Sequence, residues 1–249
     1  MNDCKVSNIG YEYVIENYMG NRQLQYYTRR ALSKGLSETE KVLLNYYFEK
    51  NDTILDVGTG CGRFAIAAYE EKYTNIHAID MNQKFIERAI QISESRSCNI
   101  KFSVQNAQFT TFKDKTFESI IFTSDGFSQI PGNENKLAVL KEMYRIMKPG
   151  GVFILAVIDE NLVRENDQNY AKIIDNFRES GAWIEKGFYD QNDVIIYDGG
   201  YMHFASVSET IGLINKSGFS HLFNVTAKDI LGENDKKSSN ISRFFALKK

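Results

Sequence analysis

Asp56 stands just ahead of three closely spaced glycines, Gly58, Gly60 and Gly62, with Thr59 and Cys61 between them. The run 53–57 before them is short, β-branched and apolar, and Phe64-Ala65-Ile66-Ala67-Ala68 after them reads as the start of a helix. Strand, glycine loop and helix together make a nucleotide-binding turn. Glycine allows a tight reversal and lets a ligand approach the backbone without a Cβ in the way. The spacing is G-x-G-x-G rather than the G-x-G-x-x-G of dinucleotide folds. A carboxylate at the end of the strand would repel a pyrophosphate, which wants a bare helix N-terminus. It suits a ligand that carries an ammonium group. A second acid, Asp80, follows Gly62 by 18 residues and ends the run 75–80. Doubly wound folds present an acid to a ribose at about that point, and a carboxylate can accept from both ribose hydroxyls. Met81 offers an apolar surface for an adenine face.

Two further residues are candidates for work on a substrate. Asp125 lies in the polar turn 124–128 after an apolar run, placed to orient or deprotonate an acceptor, although a plain turn would also use an Asp there. His203 titrates near neutrality and is a base candidate, although a lone histidine in a strand is more often structural.

The elements that must position these residues follow from pattern. Ser37-Glu38-Thr39-Glu40 is a capping box opening a helix with Val42, Leu43, Tyr46 and Tyr47 on one face. Strand 53–57, helix 62–72, strand 75–80 and helix 82–95 alternate, the last with Phe85, Ile86, Ala89 and Ile90 on one face. A third strand spans 100–104 and a fourth 117–123, and the backbone of Thr123 or Ser124 would face a ligand in the crevice at its carboxyl end. Asn133 caps a helix with Leu137, Leu140, Met143, Tyr144 and Met147 on one face, and Lys148-Pro149-Gly150-Gly151 turns into a fifth strand, 152–157. Residues 159–206 look inserted, with a helix stopped near Gly181 and an Asp198-Gly199 hairpin turn between β-rich runs. A helix capped by Ser206 or Ser208 follows. Two final strands, 219–225 and 241–247, are joined by the polar loop 232–240 without a helix, which implies an antiparallel pair at the sheet edge. Residues 1–36 carry Tyr11, Tyr13, Tyr18, Tyr26 and Tyr27 among Arg22, Arg29 and Arg30. They read as an arm or lid over the site, or as a helix covering the sheet, and Arg29 or Arg30 could meet a ligand carboxylate.

The acid-x-G-x-G-x-G motif at 56–62, the strand-end acid Asp80 and the phrase Arg145-Ile146-Met147-Lys148-Pro149-Gly150-Gly151 resemble the class I S-adenosylmethionine-dependent methyltransferases. The resemblance covers about 37–158 and the final pair of strands. It implies a single α/β, Rossmann-like domain over 1–249, with a seven-stranded, mostly parallel sheet in order 3-2-1-4-5-7-6 and helices on both faces. Residues 159–206 would form a substrate cap. It also implies S-adenosylmethionine as cofactor and S-adenosylhomocysteine as product, with Asp56, Gly58, Thr59, Gly60 and Gly62 around the methionine part and Asp80 and Met81 at the ribose and adenine. Asn106, Ala107 and Thr123 complete that set; Asn106 stands where the family usually has Asp.

The chain lacks the N-P-P-Y type of tetrapeptide after strand four, and Thr123-Ser124-Asp125-Gly126 stands there instead. With a net charge of -2 and no basic run, this points to a small-molecule acceptor with an N or O nucleophile and against a large nucleic-acid footprint. Rival readings are a protein or RNA methyltransferase, a nicotinamide-dependent oxidoreductase and a non-catalytic cofactor-binding module. Cys4, Cys61 and Cys98 are odd in number and widely spaced, forming neither a disulfide framework nor a metal-ligand cluster. Without an apolar run of spanning length or a signal-peptide core, the sequence reads as cytoplasmic, with no metal and no membrane partner.

Overall fold

The computed structural model describes residues 9–188, 191–196, 199–232 and 241–249. Its sheet grows outward from β1 (Ile54–Val57), whose four residues are all buried. β2 (Ile76–Asp80) and β4 (Phe117–Phe122) pair with β1 in parallel, one on each side. β3 (Lys101–Val104) adds in parallel beyond β2, and β5 (Met147–Ile158) beyond β4. The direction then reverses: β9 (Ser242–Lys248) runs antiparallel to β5, and β8 (Ser220–Thr226) closes the edge antiparallel to β9. The order is β3-β2-β1-β4-β5-β9-β8. With the strands of this sheet alone counted in chain order, it is the 3-2-1-4-5-7-6 that the resemblance implies. A separate pair, β6 (Asp193–Ile195) and β7 (Tyr201–His203), is antiparallel.

Period-two alternation sorts side chains between the two faces. Leu55 and Val57 join Ile120, Phe153, Leu155 and Leu247 on one face, covered by α6 (Asn133–Ile146) and α10 (Val207–Ser217). Ile54 joins Ile76, Ala78 and Ile121 on the other, against Leu43 and Leu44 of α3 (Glu38–Tyr47) and Phe64 and Ala68 of α4 (Arg63–Glu70). α5 (Gln83–Ser95) lies beside α4, and Phe85, Ile66 and Ile92 share a third cluster with Ala31 of the arm.

The arm is two helices, α1 (Ile9–Tyr18) and α2 (Asn21–Ser33). The segment 159–206 holds α7 (Glu160–Asn166), α8 (Gln168–Glu179), the short α9 (Ala182–Glu185) and the β6–β7 pair. Val163, Tyr170, Ile174, Val194, Met202 and Phe204 give it a core of its own.

Several details depart from the sequence reading. The capping box at Ser37 and Glu40 forms as read, but α3 buries Leu43 and Leu44 and leaves Val42 and Tyr46 exposed. The interior face is one residue out of phase with the tyrosine pair. α5 likewise buries Ile92 and exposes Ile90. Asn133 is the first residue of α6 rather than its cap; Gly132 holds that place, and the Asn133 amide donates to Glu209 at 2.9 Å. β5 begins at Met147, so the Lys148–Gly151 turn is a bulge inside the strand. A short helix, α11 (Ala227–Leu231), separates β8 from β9 where no helix was read. Cys4, Asp198 of the hairpin turn and residues 233–240 of the polar loop lie outside the described residues.

Candidate functional site

The strand ends and the glycine loop meet at two buried carboxylates. Asp56 alternates with Leu55 and Val57 and so points to the α3–α4 face, where it is 2 % exposed. The Thr59 hydroxyl donates to its Oδ2 at 2.6 Å. Burial pushes the Asp56 carboxyl up to about 7, against the Thr59 hydroxyl and the Arg63 guanidinium, which pull it down. At this pKa a neighbouring ammonium would tip it to the ionised form.

Asp80 is equally buried. Its Oδ2 accepts from the Gly60 backbone N–H and the Tyr18 hydroxyl, both at 2.9 Å, and its Oδ1 accepts from the Asn82 N–H at 2.9 Å. Asn82, not Asp80, caps α5, so capping does not account for Asp80. Burial raises its pKa while these donors and the Met81 backbone lower it. The acid thus sits among donors that hold the charged form, with the arm's Tyr18 hydroxyl as one of them.

Two glycines of the loop are required by what surrounds them. A Cβ at Gly58 would lie 2.7 Å from the Phe122 ring, and its φ is +64°. A Cβ at Gly62 would press between Ile66, Ala89 and Phe102 at 3.1–3.3 Å, so α4 approaches α5 and β3 only because that atom is missing.

Beside this loop lies a cleft of about 860 Å³. Gly58, Asp80, Met81, Asn106, Ala107 and Ile130 are among the residues that line it. Its position at the carboxyl ends of β1, β2 and β4 is where open α/β sheets bind ligands. A buried acid, a left-handed glycine turn and apolar lining residues such as Met81 and Ile130 fit the adenosyl cofactor that the resemblance implies. Asp80 would hold the ribose, Met81 and Ala107 would flank the adenine, and the loop would carry the amino-acid end.

Not every residue of that set faces the cleft. The Asn106 Oδ1 accepts from the Gln108 N–H at 2.9 Å, an Asx turn that spends part of its accepting capacity on its own chain. Thr123 is buried behind the wall, where its hydroxyl bonds Glu40; Ser124 takes the lining position. Asp56, Thr59, Gly60 and Gly62 do not line this cleft; of the four, Gly60 faces the arm, with the Tyr27 ring 3.5 Å from where its Cβ would be.

A second cavity, of about 920 Å³, adjoins the first and shares Val14, Tyr18, Tyr27, Ser124 and Gln129 with it. Asp125 and Arg30 line it, together with Tyr26 of the arm and Tyr170 and Tyr201 of the 159–206 segment. The Ser242 hydroxyl donates to Asp125 Oδ1 at 2.7 Å. Burial raises the Asp125 pKa, while Ser242 and Arg30 lower it. The Tyr27 hydroxyl is pushed up to about 12, chiefly by burial. The arm is joined to the inserted segment: the Tyr13 hydroxyl and the Asn17 amide donate to the Gly199 carbonyl at 3.0 and 2.7 Å, and Val14 packs with Phe188 and Tyr201. Sequence reasoning missed Arg63, Glu40 and Gln129, whose importance lies in contacts across 23 to 102 residues of chain.

His203 lines neither cavity. It is 2 % exposed, with Nδ1 2.7 Å from Asp193 Oδ1 and Nε2 3.0 Å from Glu209 Oε1. Burial disfavours its charge, but the two carboxylates override this and raise its pKa, while Glu209 is lowered to about 2. A ring with both nitrogens engaged by acids has no free lone pair for a substrate. The sequence reading of His203 as a base is therefore corrected to a buried ionic bridge between β6, β7 and α10.

Residues 48–195 match a family model described as a methyltransferase domain. Among curated relatives, phosphoethanolamine N-methyltransferase 2 of Caenorhabditis elegans is 25% identical over 136 residues, 54% of this chain and 30% of that protein. Ribosomal protein L11 methyltransferase of Listeria welshimeri is 26% identical over 144 residues, 57% of this chain and 44% of the relative. The chain spans about a third of the length of the first curated relatives it matches. A solved S-adenosylmethionine-dependent methyltransferase from Methanosarcina mazei shares the fold, with TM-score 0.67, 18% identity and coverage of 87% of this chain and 99% of the other.

Proposed function

The chain belongs to the class I S-adenosylmethionine-dependent methyltransferases, and from that premise we propose that it methylates a small-molecule acceptor at a nitrogen or oxygen. The observation that carries this reading is the second cavity. It adjoins the cofactor cleft and is walled by the arm, the turn after β4, the 159–206 segment and residues at the ends of β5 and β9. A concave pocket roofed by the arm suits a metabolite rather than a folded protein or a nucleic acid. Arg30 and Asp125 among tyrosines suit a polar acceptor with a basic or hydroxylic group. The relative named for phosphoethanolamine supports a small acceptor; the one named for ribosomal protein L11 is the competing precedent.

When bound, S-adenosylmethionine supplies a methyl group already attached to a sulfonium leaving group. The chain's own task is to hold the nucleophile in line and keep water out. Asp80 and the glycine loop fix the cofactor, with Asp56 beside its ammonium. Asp125 orients the acceptor and takes up its proton where the nucleophile arrives protonated. In this reading 1–249 is one domain, residues 1–36 act as a lid over both cavities, and 159–206 caps the acceptor.

The test begins with calorimetric titration of S-adenosylmethionine, S-adenosylhomocysteine and NAD. Methyl-labelled cofactor is then offered with pooled small amines, phosphobases and phenols, and separately with ribosomal protein and RNA. Label entering the small-molecule fraction supports the reading. Label entering only macromolecules overturns it.

A further inference from the structure

Arg63, the first residue of α4, turns back under the glycine loop and makes four hydrogen bonds. Nη1 donates to the Gly35 carbonyl at 2.9 Å and to Glu40 Oε2 at 2.8 Å. Nη2 donates to Glu40 Oε1 at 2.5 Å and to the Ser124 hydroxyl at 2.7 Å. The pair is well shielded, with side chains 11% and 5% exposed. Glu40 is itself fixed by the capping box, since its carboxylate accepts from the Ser37 N–H at 2.8 Å. The Thr123 hydroxyl bonds to the same carboxylate.

The residues gripped in this way are unusual in conformation. Ser124 and Asp125 have φ of 55° and 59°, two consecutive non-glycine residues in the left-handed region. Each such residue costs about 1–2 kcal/mol in isolation. The strain persists only where neighbouring groups over-determine the turn. Here the neighbours are Arg63 on Ser124, Glu40 on Thr123 and Ser242 on Asp125. The reversal of these two residues is what brings the Asp125 carboxyl to the wall of the second cavity.

We propose that Glu40 and Arg63 are positioning residues: a buried ionic strut that holds the Ser124–Asp125 turn in its left-handed form and so aims Asp125 into the acceptor cavity. The inference rests on the acceptor-side role of Asp125 proposed above. The strut springs from the loop that cradles the cofactor, so one pair of side chains sets the spacing between the two cavities. A bidentate guanidinium is the right group, because it satisfies both Glu40 oxygens and still has a donor for Ser124.

The test reads Asp125 directly. The protein is labelled with carboxyl-13C aspartate, the Asp125 signal is assigned by its loss in Asp125→Asn, and its titration is followed by NMR in wild type, Ser124→Ala, Ser124→Asn and Arg63→Lys. The groups facing Asp125 are Arg30 of α2, Glu40 of α3, Arg63 of α4 and Ser242 of β9. Ser124→Ala alters none of their charges. We expect its Asp125 midpoint to fall by about one unit as the turn relaxes toward solvent, because burial is the largest cause of its elevation. Ser124→Asn tolerates the left-handed turn, offers Arg63 an acceptor and restores the wild-type midpoint. Far-UV circular dichroism and thermal denaturation check that each variant is folded. Wild-type titration of Asp125 in Ser124→Ala overturns the strut, and Ser124→Ala decides the matter even if Arg63→Lys does not fold. Failure to find a small acceptor would sink the functional reading without altering this result.

Discussion

The proposed cofactor cleft and the proposed acceptor cavity lie side by side, share a roof of arm side chains and differ in the rest of their walls. Beneath that roof the cleft draws on the ends of neighbouring strands and on backbone: the Gly60 and Asn82 N–H groups on Asp80, the bare Cα of Gly58 and the turn at Ala107. The acceptor cavity is made by side chains from α1, α2, the β4 end, α8 and β7, converging from parts of the chain far apart in sequence. A wall of backbone accepts one ligand shape and tolerates little change. A wall of side chains can be altered one residue at a time without disturbing the sheet.

The sharpest way to break the contrast is to show that the acceptor side depends on the sheet as rigidly as the cofactor side does. His203→Ala removes the ring that joins buried Asp193 to half-buried Glu209. We expect a stability loss of about 3–5 kcal/mol by denaturant titration, with cofactor affinity retained. The pH dependence has a defined sign. The raised His203 contributes stability in full below about 6.5, lost as pH rises through its folded pKa. Glu209 contributes above about 4.5, lost as pH falls toward about 2. The deficit of the variant is therefore largest between those limits and shrinks at pH 9.

Asp80→Ala tests the backbone-built side. Loss of a charge-assisted ribose partner should weaken S-adenosylhomocysteine binding by about 1.5–3 kcal/mol, roughly ten- to hundredfold. Unchanged affinity in calorimetry would remove Asp80 from the site. Asp56→Asn separates stability from function at one residue. The folded carboxyl, at about 7, holds its proton better than the unfolded one, so wild-type stability declines as pH rises from about 4 to 7. We expect the variant to gain about 1–2 kcal/mol at pH 8 and nothing at pH 4, while binding the cofactor more weakly. The smallest effect is Tyr18→Phe. Its hydroxyl competes for Asp80 Oδ2, so its removal should tighten S-adenosylhomocysteine binding by about 0.5–1 kcal/mol, two- to fivefold. Weaker binding would make Tyr18 a partner of the cofactor instead of its rival.

The same contrast explains what the sequence could disclose. The β1 turn, Asp80 and the Gly150–Gly151 bulge are local: residue type and spacing over a few positions dictate the backbone, and the backbone makes the cleft. His203 misled because the feature that decides its role is tertiary. Asp193 reaches it across the β6–β7 register, and Glu209 reaches it from a helix that follows. Arg63 looked like an ordinary residue at a helix start, and its partners Glu40 and Ser124 lie 23 and 61 residues away. Tyr18 was one tyrosine among five, and nothing in its neighbours marks it as the one that reaches Asp80. The phases of α3 and α5 differ from the sequence pattern because the outer member of an aromatic or aliphatic pair, Tyr46 or Ile90, faces solvent.

The arm roofs both cavities with the same residues, Val14, Tyr18 and Tyr27. If it is the gate proposed above, neither chamber can be emptied without unroofing the other. Spent cofactor and methylated product would then leave in one opening event. An acceptor with room for several methyl groups would be released after each addition and would have to compete again for entry. Partly methylated species would accumulate in the order of their formation, a distributive pattern legible in a time course of products.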